Sequence, residues 1–373
     1  MNLFQLRGDL TASQRWILGF IGLVLFVVLW WVLAEAFSVQ RPVIADGGYN
    51  FDLSELPEGP VRDSIVREDS IRFANASEFQ KVYPILPPPN VVIGSFPKLL
   101  KFDGDNLLGN AAKSIWLNFR GYFWAVLISL VFGFLIGLIP LLRGLFSKQV
   151  DALRYLPLTA LTGLFIIWFG IDDQMKVAFL AFGILVYLLP VVVQRIDEVK
   201  RVYLQTTYTL GATDWQTVKS VYLPSVLSKL IDDVRVLTAI SWTYIIIVEY
   251  LNRTGGIGAM IYIKQRRSMV EEMFAILLLI ILIGFLQDRL FVYLDRRFFP
   301  HKYYKTASAN VAEVKYGLFM LLGIMALAIL MGIFVGAITG TLATVLWVLV
   351  VAALVFILFG EFKLWRAKKS MEL

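Results

Sequence analysis

Cysteine is absent from this chain of 373 residues, and histidine occurs once, at His301. The first absence excludes disulfides and thiolate chemistry, and the second leaves little for histidine-based catalysis or metal binding. The motif G-x-x-x-x-G-K-[ST], which cradles nucleotide phosphates, is also missing. We therefore predict no catalytic residue, no metal site and no cofactor in this chain.

Charged residues are scarce at 17%, whereas 58% of the residues are hydrophobic and the mean hydropathy is +0.71. The apolar residues come in runs of about 20, the length that crosses a bilayer core of about 30 Å. We therefore predict an all-α polytopic membrane protein with about eight transmembrane helices. The predicted spans are Trp16–Phe37, Ser114–Leu142, Tyr155–Ile171, Val177–Gln194, Val234–Tyr250, Met273–Leu294, Tyr316–Ile338 and Thr341–Phe359.

Lysine and arginine are distributed unevenly between the connecting segments. With the N-terminus in the cytoplasm, the inner segments hold 21 of them and the short outer loops 5. Because short cytoplasmic loops are enriched in positive charge, both termini are predicted to be cytoplasmic. The net charge of +7 reflects this bias, so no nucleic-acid partner is expected. The basic cluster around Lys264, Arg266 and Arg267 is the exception, because it falls on the outer side.

Four regions are expected along the chain. Residues 1–37 form an uncleaved anchor helix, and the polar, mixed-charge residues 38–83 form an insertion on the outer face. Residues 84–300 form the transmembrane core, which includes a cytoplasmic loop at 197–232. Residues 301–373 form a two-helix hairpin with a basic cytoplasmic tail.

Two sets of glycines occur at the four-residue spacing that lets membrane helices approach closely. One set is Gly133 and Gly137 in the second span, and the other is Gly332, Gly336 and Gly340 in the terminal hairpin. Packing within the chain is the favoured interpretation for both. Contact with another subunit is the alternative.

The polar stretch from Gln205 to Pro224 lies between two apolar spans and carries clear helix-capping signals. A helix is predicted at Val202–Leu210, and Gly211 is suited to the left-handed conformation that ends it. Thr213 with Gln216 forms a T-x-x-Q capping box for a second helix. An ordinary capped connection between spans would explain this pattern equally well.

The spacing within this stretch adds a family resemblance. Gly211 is followed by nine residues and then by Val221-Tyr222-Leu223-Pro224, and Gln205-Thr206-Thr207 stands at the front. This resembles the signature loop of the membrane permease subunits of binding-protein-dependent ABC importers, which reads E-A-A, three residues, Gly, nine residues, I-x-L-P. The front departs from that pattern. The resemblance implies ATPase-coupling roles for Gln205, Thr206, Thr207, Gly211, Ala212, Trp215, Leu223 and Pro224.

The resemblance extends from about Leu86 to Phe298 and is most similar to the nitrate, sulfonate, taurine and bicarbonate branch. The matching motifs are Leu86–Pro89, Arg154–Pro157, Ile167–Ile171, Trp242–Glu249 and Thr254–Gly258. The implied fold is a type I-like permease core, to which this chain adds the outer insertion and the C-terminal hairpin.

The resemblance also implies partners. The expected partners are an ABC ATPase in two copies, which would hold ATP and magnesium, an extracytoplasmic substrate-binding protein, and a second permease copy, favouring a homodimer in the lipid bilayer. The expected location is the bacterial inner membrane. The expected solute is small and anionic.

Three residues are candidates for the translocation pathway: Trp242, Tyr244 and Glu249. An ionisable residue near the end of a span is a functional candidate, although Glu249 could instead pair with Arg253 one helical turn on. Packing is the favoured role for the two aromatic residues. The outer basic residues are candidates for contact with an anion or with the binding protein; they are Arg253, Lys264, Arg266 and Arg267.

Three other classes of protein compete with an importer permease. A secondary transporter or channel not coupled to ATP would have internal repeats and charged or broken spans, which this sequence does not show. A membrane enzyme would have clustered catalytic side chains at helix ends. A scaffold without transport activity remains open from the residues alone.

Overall fold

The computed structural model describes residues 10–42, 59–74, 79–101, 106–302, 312–334 and 341–371. These residues fall into two compact units. The first is drawn from Met1–Lys113 and Glu249–Ile281, and the second from Ser114–Val248 and Leu282–Leu373. Each unit is described by itself below.

The described residues are mainly helical. The long helices are α1 (Ala12–Ala36), α4 (Leu107–Leu138), α7 (Asp173–Asp197), α10 (Leu223–Asn252), α12 (Val270–Phe298), α13 (Ala312–Phe334) and α14 (Thr341–Met371). The shorter ones are α2 (Pro60–Ala74), α3 (Pro89–Leu99), α5 (Pro140–Leu153), α6 (Thr162–Phe169), α8 (Arg201–Thr209), α9 (Asp214–Thr217) and α11 (Ile257–Arg266). Two strands, β1 (Val39–Pro42) and β2 (Phe79–Val82), pair antiparallel with Val39 opposite Val82.

Seven helices of the described chain are long and apolar enough to cross a membrane, or eight if one bent pair counts as a single span. This confirms the predicted all-α polytopic architecture with about eight spans. Their exposed faces are apolar, as expected where lipid replaces water as the surrounding solvent.

The predicted third span, Tyr155–Ile171, is not one continuous helix. The structure has α5, then a short 3₁₀ turn at Leu158–Leu161 and α6, with a bend of 95° between the two halves. Pro157 precedes the turn in an extended conformation (φ −72°, ψ 95°), and such a residue ends a helix because its ring removes the backbone donor. Alone, the eight residues of α6 rise only about 12 Å.

The segment between α1 and α3 is fastened to the end of α1. Glu35 of α1 accepts hydrogen bonds from Lys81 of β2 and from the hydroxyl of Tyr83, which directly follows that strand. Trp30, one turn earlier, donates its indole N–H to the Pro87 carbonyl at 3.0 Å. The insertion is thus tied to the first helix by side chains, while its boundaries at 38 and 83 stay a prediction.

Glycines on α4 allow close contact with α7 in the second unit. A Cβ added at Gly133 would lie 2.5 Å from Val192, and one at Gly137 would lie 2.6 Å from Ile196. Real side chains do not tolerate such distances, so any larger residue would push the helices apart. The prediction that Gly133 and Gly137 pack within the chain is confirmed.

The terminal hairpin is held by other glycines than those predicted. A Cβ at Gly317 of α13 would lie 2.6 Å from Ile357, and one at Gly360 of α14 would lie 2.6 Å from Val314. A Cβ at Gly332 would meet no described residue within 4 Å, so its expected intramolecular packing is not seen among the described residues. Gly336 and Gly340 lie outside the described residues.

Glu361 of α14 attaches the hairpin to the end of α12. Its carboxylate accepts a hydrogen bond from the Tyr293 hydroxyl at 2.7 Å and forms an ion pair with Arg297. The Phe319 ring of α13 packs on Phe298 of α12 with 5.1 Å between centroids. The hairpin therefore shares both polar and aromatic contacts with the last core helix.

Replacing Glu361 by alanine is expected to loosen this attachment. Hydrogen bonds to charged groups contribute about 1.5–3 kcal/mol each, and this pair is mostly shielded from solvent. We expect a lower melting temperature in detergent and faster proteolysis between α12 and α13. The matched control is Glu313→Ala, which removes a pair with the half-exposed Lys363 and is expected to cost at most about 1 kcal/mol. Equal effects of both substitutions would contradict the prediction.

Candidate functional site

Residues 201–224 begin with α8, which covers the predicted helix Val202–Leu210 and confirms it within one residue. Gly211 has φ +76°, the left-handed conformation predicted for the residue that ends the helix. The Gly211 N–H donates to the Tyr208 carbonyl at 2.9 Å, and the Ala212 N–H donates to the Thr207 carbonyl at 3.1 Å. The turn is thus closed by its own backbone.

The predicted capping box opens the next helix. The Gln216 N–H donates to the Thr213 hydroxyl at 3.3 Å, and the Thr213 N–H donates to the Gln216 side chain at 2.8 Å. Helix α9 then runs through a π turn (Val218–Tyr222) directly into α10. Pro224 lies in the first turn of α10, where its missing N–H is tolerated, so it begins a helix and does not end one.

Several apolar side chains of this segment are exposed although the helices around it are well packed. Leu210 is 80% exposed, Trp215 73% and Val202 65%. Gln205, Thr206, Leu223 and Pro224 are also exposed, while Thr207 and Ala212 are half-buried. Grouped apolar exposure outside the apolar spans marks an interaction surface. We call residues 201–224 the coupling segment.

The threonine hydroxyls of α8 are committed to its own backbone. Thr206 donates to the Val202 carbonyl at 2.8 Å, and Thr207 donates to the Tyr203 carbonyl at 2.6 Å. These threonines stand where the related loops have the two alanines of Glu-Ala-Ala, and their hydroxyls bond within the helix.

An ion-pair cluster, which the sequence did not predict, supports the coupling segment. Arg195 at the end of α7 makes two parallel hydrogen bonds to Asp233 of α10, at 2.7 and 2.8 Å, and also binds Glu198. Lys229 binds Glu198 at 2.8 Å. Hydrogen bonds from Lys229 and Arg195 lower the pKa of the Glu198 carboxyl below its usual range. The i, i+3 spacing of Arg195 and Glu198 was the sole sequence signal.

Further pairs extend this cluster across neighbouring helices. Arg143 of α5 binds Asp197, with one nitrogen–oxygen distance of 2.8 Å, and Arg235 of α10 pairs with Asp288 of α12. Lys302, just after α12, binds both Asp295 at 2.8 Å and Asp232 of α10 at 3.1 Å. We call these pairs, together with the Arg195 cluster, the ion-pair belt. It joins α5, α7, α10 and α12 of the second unit.

The two aromatic pathway candidates pack inside the second unit. Trp242 is 6% exposed and donates its indole N–H to Gln287 at 2.7 Å. The Tyr244 ring meets Phe179 edge to face with 6.1 Å between centroids, and a Cβ on Gly183 would lie 2.8 Å from it. Both placements agree with packing, which the sequence favoured. A role in the pathway stays a prediction.

Glu249 is fully buried, and it binds the start of α11. Its carboxylate accepts the Gly258 N–H at 3.0 Å, so the charge is stabilised by the positive end of that helix. The guanidinium of Arg253 lies over the Tyr262 ring, 3.9 Å from its centroid. Glu249 is thus placed as a helix cap, while the pathway role predicted for it stays untested.

The turn between α10 and α11, residues 253–258, is held from α4 as well. The Gly256 N–H donates to the Asn110 side chain at 2.9 Å, and the Lys113 ammonium donates to the Thr254 carbonyl at 3.0 Å. Three side chains from two helices therefore fix this turn. Gly255 and Gly256 adopt φ +102° and +98°, which other residues rarely do.

The predicted outer basic group needs one correction. Lys264 is 3% exposed and pairs with Glu272 at 2.6 Å, so it is not available to an anion or to a partner protein. Arg253, Arg266 and Arg267 are exposed. The sequence failed here because a lysine that neutralises a buried glutamate and a surface lysine have the same local pattern.

Comparison with known proteins agrees with this arrangement. Residues 125–300 match the family described as binding-protein-dependent transport system inner membrane component. This region contains the coupling segment, the ion-pair belt up to its last lysine, and the α10–α11 turn. Over these residues the chain is similar to the inner membrane components of binding-protein-dependent transport systems.

Within that family, the chain resembles permeases of the sulfonate and taurine branch. It is 26% identical over 216 residues to a putative aliphatic sulfonates transport permease, SsuC, of Bacillus subtilis, covering 57% of this chain and 76% of that one. It is 27% identical over 228 residues to the taurine transport permease TauC of Escherichia coli, covering 59% and 82%. A chain of an inward-facing MetNI methionine ABC transporter aligns at 21% identity with a TM-score of 0.46, over 52% of this chain and 96% of its own.

Proposed function

We propose that this permease carries a small sulfonate-type anion across the bacterial inner membrane and that its coupling segment binds a separate ATPase. The observation that carries the proposal is the exposure of Leu210, Trp215 and Val202 on a segment whose second helix, α9, begins with a capping box. Tryptophan, such as the exposed Trp215, is enriched in protein-binding hot spots. The branch of the related permeases supports the class of solute.

The same segment is built to transmit movement. From Asp214 to Asn252 the chain is one helical segment of 39 residues, about 58 Å long at 1.5 Å per residue. We infer that a movement of Trp215 would be passed along this segment, through its π turn at Val218–Tyr222, into α10.

We infer the partners from the resemblance to importer permeases. Two ATPase copies would hold ATP and magnesium and close on each other, and a binding protein would deliver the solute to the side that carries the α10–α11 turn. A second permease copy would complete the pathway. Each closure step requires contacts that differ between the two states. The charge distribution supports a cytoplasmic coupling segment and cytoplasmic termini.

The exposed arginines on the other side support the choice of an anion. Arg253, Arg266 and Arg267 are exposed near the α10–α11 turn. Fixed positive charge around an entrance raises the local concentration of anions, and the effect weakens as salt rises. Uptake should therefore be more salt-sensitive in the native permease than in a variant with Arg266 and Arg267 neutralised.

Replacing both Leu210 and Trp215 by serine is expected to abolish ATPase binding. Hot-spot aromatic residues contribute about 2 kcal/mol or more, so affinity should fall by more than about tenfold. The variant should insert and melt normally because both side chains are exposed. The measurement is co-purification of the ATPase encoded with this permease, together with solute-stimulated ATP hydrolysis.

Trp16→Ser is the matched control, since Trp16 is 82% exposed but belongs to α1 and not to the coupling segment. It should leave both readouts unchanged. If the double variant kept the ATPase, the docking proposal would be wrong. If the native permease moved solute without ATP hydrolysis, a secondary transporter or channel would be the better description.

A further inference from the structure

A small cavity lies beside the coupling segment. It has a volume of about 220 Å³ and lies between the start of α8 and the first two turns of α10. The side chains on its wall that matter here are Arg195, Glu198, Lys200, Tyr203, Ser225 and Lys229. All of them belong to the second unit, and the proposed docking surface does not include Lys200, Ser225 or Lys229.

The wall of the cavity has more positive than negative charge. Three of its side chains are cations, and Glu198 is the one carboxylate among the described residues that line it. Arg195 is committed to Asp233 and Glu198. Lys229 forms an ion pair with Glu198. Its ammonium group has two further protons that can be donated in hydrogen bonds. Lys200 is exposed at the mouth.

Neutral hydrogen-bond donors and the start of α8 also favour an anion in the cavity. The hydroxyls of Tyr203 and Ser225 also lie on the wall. In the described chain no side chain caps the start of α8, and its first turn holds no acidic residue. The first N–H groups of a helix favour an anion when no carboxylate is there. The complement to such a wall is a compact anion with several acceptor oxygens.

The size and position of the cavity further restrict the kinds of ligand that it can bind. Pockets for drug-sized ligands usually measure about 300–1,000 Å³, so this one suits a small group and not a nucleotide. It lies where α7 ends and α10 begins, both of which are membrane spans. Basic pockets at that level bind lipid head groups. A phosphate group meets both the chemical and the positional requirement.

We propose that this cavity binds a phosphate group, from either a phospholipid head group or free phosphate, through Lys200 and Lys229. The ligand would bridge α8 and α10 and so stiffen the base of the coupling segment. Binding itself does not depend on the proposed ATPase docking, because it requires this chain alone. Any influence on coupling does depend on that docking.

Melting of the purified full-length permease in a maltoside detergent, which carries no phosphate, tests the proposal. Inorganic phosphate is titrated against sodium chloride at equal ionic strength, and short-chain phosphatidylglycerol is titrated separately. A ligand that binds only the folded protein stabilises it by RT ln(1 + [L]/Kd), so the melting temperature rises with ligand concentration. A rise with phosphate indicates the free ion, and a rise with phosphatidylglycerol alone indicates the lipid.

The variants are Lys200→Gln and Lys229→Gln, with Lys219→Gln as the control. Lys219 is exposed on the same segment but does not line the cavity, so it matches the loss of charge. Each wall variant should weaken the apparent affinity by about fivefold, the size expected for one lysine at a membrane surface. Lys200→Gln is not expected to disturb folding, because Lys200 forms none of the ion pairs described above. A change in this variant therefore reports on binding. The proposal fails if neither probe raises the melting temperature above chloride, or if Lys219→Gln has the same effect as the wall variants.

Discussion

Replacing Glu272 by alanine is expected to destabilise the first unit by about 3–5 kcal/mol. The carboxylate is 8% exposed and binds the ammonium of Lys264, which is 3% exposed. Removal of one partner leaves the other charge buried and unpaired, and this is among the most costly single changes in a folded protein. The measurement is the melting temperature of the purified permease in detergent, with yield from the membrane as a second readout.

The double variant Lys264→Met, Glu272→Leu distinguishes this cause from loss of packing. Replacing both charges by apolar groups of similar volume is often neutral or stabilising, so the double variant should melt close to the native protein. The single variant Lys264→Met should resemble Glu272→Ala. If the double variant were as unstable as the sum of the single ones, the pair would not be a coupled unit, and the correction of Lys264 from surface contact to buried partner would be wrong.

Replacing Gly256 by alanine is expected to disrupt the α10–α11 turn. The new Cβ would lie 2.2 Å from the carboxyl carbon of Glu249, and the backbone has φ +98°. Overpacking costs about 1–3 kcal/mol and the left-handed backbone about 1–2 kcal/mol more. The total should lower the melting temperature clearly and reduce solute-stimulated ATP hydrolysis, since Glu249 would have to leave the start of α11.

Gly255→Ala is the control that separates the two causes. Its φ of +102° is similar, but the nearest atom to a Cβ there, the Lys113 ammonium, is 3.5 Å away. This variant should show the backbone cost alone and keep most of the hydrolysis activity. Equal loss in both variants would show that the contact with Glu249 is unimportant.

The coupling segment was the part that the sequence predicted best. Gly211, Thr213 and Gln216 act through local backbone geometry, so a few consecutive residues determine the outcome. The lengths of the apolar runs located most of the spans, because a run is also a property of consecutive residues. The prediction of the third span as one helix was wrong because a run of apolar residues does not reveal a bend. Pro157 was the one local sign of a break in the helix.

Contacts between residues far apart in the sequence could not be predicted from it. Asp233 meets Arg195 from 38 residues away, and Glu361 meets Arg297 from 64. The side chain of Glu249 could be recognised as important from its position in a span, but its bond to Gly258 depends on a turn with two left-handed glycines. No described residue lies within 4 Å of a Cβ at Gly332. Regular glycine spacing therefore indicates a helix face suited to close packing but not which helix packs on it.

The ion-pair belt limits how the helices of the second unit can move. Its pairs join α5 and α7 near one end of each helix to α10 and α12 farther along their length, as Arg143–Asp197, Arg195–Asp233 and Arg235–Asp288. A piston-like slide of one helix by a single turn, about 5.4 Å, would break several pairs at once. Tilting about the belt would keep them. The belt would therefore resist sliding of these helices more than tilting.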